Sequence, residues 1–173
     1  VYLDITAPLY WWKEFDTYKV GTVANSCSTM HKIHDKEFTL EDFSCEHLMD
    51  WDEAHAAGCL VKDFGCGDCT FSPEGMMTEL MIPMLNLCRD SYHMADERLK
   101  VDKTLTEAER KHFESQRKYF WWQMIQLLPS SYNQKRTIML NYEVLTGIYE
   151  SRKNHKLDEW REFCKWIEQL PYS

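Results

Sequence analysis

The chain reads as a helix-rich α+β fold, a single domain over residues 1–173 that lacks an N-terminal portion. Three observations predict this. Val1, Leu3 and Ile5 alternate with Tyr2 and Asp4, the period-2 pattern of a half-buried strand. Long stretches further on repeat apolar residues at helical spacing, as in Met77, Leu80, Met81, Met84, Leu85, Cys88 and Tyr92. And 173 residues with 44% hydrophobic content are enough for one real core. The sequence opens on Val1 rather than Met, which suggests a fragment or a processed form.

The elements follow in order. After the first strand, Thr6 caps and Pro8 suits the first turn of a helix to about Tyr18, with Trp11, Phe15 and Tyr18 on one face. Tyr18 to His31 is a run of small and polar residues that buries little but lets a ligand approach the backbone closely. Thr39 starts a short helix with Leu40, Phe43, His47 and Leu48 on one side. Residues 52–72 have no clear period and read as loop. Ser72-Pro73 opens a long helix that Pro83 should kink. Thr106 and Glu109 form a capping box for a helix to about Leu128, and Ser131 and Gln134 a second one for a helix to about Arg152. Leu157, Trp160, Phe163, Cys164 and Ile167 mark the last helix.

Composition excludes several function classes. A net charge of −8 argues against a general nucleic-acid-binding face. Apolar runs such as "FWWQMIQLLP" are too short to span a bilayer, and no secretory signal is visible. Seven scattered cysteines, an odd number, favour reduced thiols and a cytoplasmic location over a disulfide framework. Cys66-Gly67-Asp68-Cys69 with Cys59 upstream has part of a zinc-ligand pattern, but a second clean pair is missing. A glycine-rich turn with incidental thiols is the preferred reading, so no metal site is assigned. His31 and His34 stand three apart and read as solvated or hydrogen-bonded histidines. No GxSxG and no framed phosphate loop occurs.

One helix offers a binding face. Asn141, Leu145, Ile148 and Arg152 fall almost in register at 3.6 residues per turn. A face with an apolar middle and polar ends can lie along a ligand that has a polar ring and a phosphate, and Arg152 can grip the phosphate. The plainer alternative is an amphipathic helix with a surface Arg near its C-terminus.

Two stretches resemble the flavin-dependent thymidylate synthases. That family's signature, R-H-R-x-x-S-x-N-E-x-S-x-R, laid on Tyr18 to Met30 meets Asn25 at its Asn and Ser28 at its second Ser. The family's Leu-Pro, its Asn twelve residues on and its Arg eleven further are matched by Leu128-Pro129, Asn141 and Arg152. The similarity covers roughly the whole chain. It implies a small antiparallel sheet within a homotetramer, FAD at subunit interfaces, and conversion of dUMP to dTMP with methylenetetrahydrofolate and NADPH. It implies that Asn141, Lys19 and Asn25 bind the flavin, and that Ser28 and Arg152 bind the pyrimidine mononucleotide, Ser28 at the reacting centre. The small run would then be a loop wrapped around the nucleotide.

The chain departs from the pattern at several positions. Tyr18, Lys19 and Val20 replace Arg-His-Arg; Val23, Ser26 and Met30 replace Ser, Glu and Arg. Ile125 and Glu143 stand where the family has Arg, and Gly147 where it has Asn or His. After Arg152 the family shows Ala-Gln-x-Glu, against Leu157-Asp158-Glu159-Trp160 here. Losing the arginines at 30 and 125 costs roughly 3–6 kcal/mol of anion binding if nothing replaces them. The alternative is therefore a non-catalytic descendant of that fold that binds a nucleotide or a partner protein.

Overall fold

The computed structural model describes residues 1–26, 29–56 and 72–171. They form a helix-rich α+β structure with one three-stranded antiparallel sheet. The chain divides into two compact units, residues 1–29 with 130–173 and residues 30–129. Among the described residues no helix is long and apolar enough to cross a membrane.

The first unit is built on the sheet. Strand β1 (Tyr2–Pro8) runs directly into helix α1 (Leu9–Phe15), and strand β2 (Thr22–Ser26) follows. Strand β3 (Asn133–Leu140) lies between β1 and β2 and pairs antiparallel with both. The register sets Leu3 and Ala24 opposite Ile138, and Ile5 opposite Arg136. Side chains alternate across a strand, so Ile138 and Leu140 share one face, and both are buried. Helices α7 (Tyr142–Arg152) and α8 (Asp158–Ile167) complete the unit.

The core of this unit is largely aromatic. Trp11 and Phe15 of α1 meet Trp160 and Phe163 of α8, with the Trp11 and Trp160 rings 4.6 Å apart. Leu145 and Ile148 of α7 join the same cluster. Trp12 donates its Nε1 proton to the Gln134 carbonyl at 2.9 Å, and the Arg136 guanidinium lies 4.4 Å over its ring. These contacts tie α1 to β3, which is about 120 residues away in sequence.

The second unit centres on helix α5 (Ile82–Val101) and helix α6 (Glu107–Leu127), which make the most extensive helix pair among the described residues. Before them come α2 (Thr29–Lys32), a 3-10 turn at Leu40–Asp42, α3 (Trp51–Ala56) and α4 (Pro73–Gly75). Ser72 caps α4 by accepting from the Gly75 backbone N–H, with Pro73 in the first turn. Thr106 and Glu109 make the reciprocal capping box of α6. The Asn86 carboxamide holds the backbone N–H and carbonyl of Phe38 at 2.8 and 2.9 Å.

Several elements differ from the sequence reading. The stretch expected to open a helix at Ser131 instead leads into β3, and the helix begins at Tyr142, capped by Asn141. Gln134, Arg136, Ile138 and Leu140 alternate with Lys135, Thr137 and Met139, and β1 and β2 supply the pairing partners. Thr6 and Pro8 lie in β1, so α1 starts without a side-chain cap. Thr22–Ser26, expected as loop, is an edge strand. The expected helix from Thr39 is a single 3-10 turn, with Asp42 reaching back to the Thr39 N–H. Within residues 52–72, read as loop, α3 occupies the first positions. At Pro83 the accommodation is a π turn over Met76–Met81, just before the proline, which has no N–H to give.

Candidate functional site

The two stretches that carry the family resemblance meet in the first unit. Asn141 directly follows β3 and caps α7; its side-chain oxygen accepts from the Val144 N–H at 2.9 Å. Asn is among the best residues for this position because its oxygen satisfies an N–H that the helix leaves without a partner. The Asn141 amide nitrogen packs against Gly21. A Cβ built on Gly21 would lie 2.7 Å from that nitrogen, and Gly21 holds φ at +75°, a conformation that suits glycine. Glycine here lets the turn into β2 pass close to the start of α7. A cavity of about 390 Å³ opens at this point, lined by Gly21, Thr22, Val23, Met139 and Asn141 among others.

Arg152 sits at the other end of α7, eleven residues on and roughly 16 Å away at 1.5 Å per residue. Its Nη1 donates to Glu14 Oε2 at 2.8 Å and its Nε to the Tyr18 hydroxyl at 2.9 Å. The guanidinium lies 4.8 Å over the Trp160 ring. Glu14 Oε2 also accepts from Trp160 Nε1 at 3.0 Å, and His155 Nε2 stands 3.5 Å from it. Arg152 is 21% exposed and Glu14 36%, so the pair lies at the surface margin of the aromatic core. Tyr18 stands where the family has its first Arg, and here it is a partner of Arg152.

The segment Tyr18–Gly21 therefore spans between the two ends of α7, touching Arg152 at one end and Asn141 at the other. Lys19 and Val20 lie between these contacts and are exposed. Asn25 is exposed on β2, opposite Thr137 and three residues beyond Thr22. Ser28 lies outside the described residues, as do Cys59, Cys66 and Cys69. Cys88 is buried on α5, where burial pushes its thiol pKa up. No group of three metal-ligating side chains occurs among the described residues.

One expectation is corrected by this geometry. Leu145 and Ile148, the apolar middle of the proposed binding face, are 1% and 0% exposed and belong to the core. A ligand does not lie along that face; only its polar ends, Asn141 and Arg152, remain for binding. Sequence reasoning also missed Glu14 and Trp160 as partners of Arg152. Both lie on helices that the sequence predicts, but the pairing joins α1, α7 and α8 and leaves no local spacing signal.

The donor set fits a nucleotide or flavin edge in chemical type. Asn141 makes no hydrogen bond through its amide nitrogen among the described residues, Lys19 adds an exposed ammonium, and β2 is an edge strand. Compared with known proteins, the chain matches no family model, no curated protein and no solved structure.

Proposed function

We propose that the chain is a divergent flavin-dependent thymidylate synthase-like protein. On this reading it methylates dUMP to dTMP with FAD, methylenetetrahydrofolate and NADPH, or carries out a related reaction on a pyrimidine nucleotide, as a homotetramer. The observation that supports it best is the junction of Gly21 with Asn141, which brings the two resembling stretches to one cavity mouth. Asn141, Lys19 and Asn25 would hold the flavin, and Arg152 with Ser28 the nucleotide. When bound, the flavin supplies the hydride. The chain's own part is to orient: Asn141 through its amide nitrogen, Lys19 as a point charge, and Arg152 as a cation held rigid against Trp160.

A specific observation favours a second reading, the non-catalytic nucleotide- or partner-binding descendant. The Arg152 charge is already balanced by Glu14, so an anion reaching it must share or displace that carboxylate. Titration of dUMP into the FAD-loaded protein, followed by turnover with methylenetetrahydrofolate and NADPH, separates the two. The first reading expects dTMP, and at least tenfold weaker nucleotide binding in Arg152→Ala. Binding without product supports the second reading. Unchanged affinity in a folded Arg152→Ala removes the role given to Arg152.

A further inference from the structure

A second cavity, of about 570 Å³, lies wholly within the second unit. Its size is that of a small-molecule site. Helix α6 supplies one wall: Glu114, Arg117, Lys118 and Trp121 follow at i, i+3, i+4 and i+7 and so share a face. Tyr92 of α5 and the imidazoles of His31 and His34 supply the rest.

The wall is built rather than incidental. The His34 ring stacks on Tyr92 at 4.3 Å with the planes 17° apart. His93 Nε2 is hydrogen-bonded to the His34 carbonyl at 2.6 Å, and Asn86 clamps Phe38 four residues on, so the segment is stapled to α5 on both sides of Asp35. Arg117 donates Nη1 to Asp96 at 2.7 Å, which fixes its guanidinium; a phosphate reaching it shares it with that carboxylate, so Lys118 is the main anchor. Two donors or acceptors here have no internal use. Lys118 is exposed and makes no ion pair among the described residues. His34 Nδ1 is buried and has no hydrogen-bond partner among them; Asp35 lies 3.3 Å away but out of hydrogen-bonding geometry.

We propose that this cavity binds a nucleoside monophosphate, its base against the Trp121 and His34–Tyr92 rings and its phosphate on Lys118 and Arg117. Rings of this kind stack a flat heterocycle, an ammonium and a guanidinium together suit a phosphate, and the Glu114 carboxylate accepts from sugar hydroxyls or base N–H groups. The proposal stands on the second unit alone and does not rest on the function assigned to the first.

The test is calorimetric titration of AMP and dUMP into the full chain, with adenosine and inorganic phosphate as partial ligands. Saturable binding of at least one nucleotide is expected, weakened about 10- to 100-fold in Lys118→Ala, as for loss of one charge-assisted hydrogen bond. Trp121→Leu should weaken the nucleotide but leave inorganic phosphate unaffected. Adenosine and phosphate should each bind more weakly than AMP. Three results would overturn the proposal: no saturable nucleotide binding; inorganic phosphate binding as tightly as AMP; or binding kept in Lys118→Ala and Trp121→Leu but lost in Arg152→Ala. The last places the nucleotide in the first unit, so the proposed function survives while this site does not.

Discussion

Asn141 caps α7 through its oxygen, and the proposed function gives its nitrogen a ligand role; the two can be separated. Its oxygen caps α7 by accepting from Val144 at 2.9 Å; its nitrogen, beside Gly21, is the group assigned to the ligand. Asn141→Ala removes both. The cap alone is worth about 1 kcal/mol. For a chain of this size that corresponds to a drop of roughly 2–4 °C in melting temperature. Asn141→Asp keeps an oxygen for Val144 and adds a negative charge where the helix dipole favours it, so stability should stay within about 0.5 kcal/mol of the parent. It has no N–H to donate. Thermal or urea unfolding, paired with flavin and dUMP titrations, reads both quantities on the same preparations. Asn141→Ala should be weaker in both, and Asn141→Asp stable but poor in binding. A fully stable Asn141→Ala would refute the cap. Undiminished binding in Asn141→Asp would refute the ligand role.

Other consequences follow from the same contacts. Glu14→Ala removes the acceptor of both Arg152 and Trp160; two charge-assisted bonds, discounted for the exposure of the pair, come to about 2 kcal/mol, and Glu14→Gln, which still accepts from Trp160, should cost about half as much in urea unfolding. Equal stability of the parent and Glu14→Ala would contradict this. Gly21→Ala forces a side chain onto a φ of +75° and against the Asn141 amide, so about 1–3 kcal/mol should be lost, and an unchanged melting temperature would show the turn to be differently built. Burial, opposed by nearby Asp35, holds the His34 pKa below its ordinary 6.5. Its contribution to stability is therefore complete above pH 6.5 and is lost as pH falls through the lower folded value. Unfolding between pH 7.5 and 5 should show that loss, and it should shrink in His34→Gln; a gain in stability on acidification would reverse the sign of the argument.

Much of the fold is legible where the signal is local. Thr106 with Glu109, Ser72 with Pro73, and the alternation of Val1, Leu3 and Ile5 each act within a few residues, and each appears where the pattern puts it. The apolar spacing of Trp160, Phe163, Cys164 and Ile167 likewise identifies the buried face of α8. β3 is not legible, because its partners lie more than a hundred residues away and Ser131 with Gln134 imitates a capping box. The small run at 22–26 hides β2 for a related reason: an edge strand of small residues buries too little to show a strong period. At the candidate site, helical spacing puts Asn141 and Arg152 at opposite ends of one helix, and the structure has them at the two ends of α7. The apolar residues between them belong to the core, a fact that helical register cannot distinguish from a ligand-facing stripe. Glu14 escapes because its role depends on how three helices come together.

The most direct test of the account is the visible absorption spectrum of the purified protein, repeated after FAD is added and free flavin removed by gel filtration. The account predicts a flavin band that co-elutes with the protein and weakens in Asn141→Asp. No retained flavin, even after loading, would contradict it, and the junction of Gly21 with Asn141 would then be a structural contact alone.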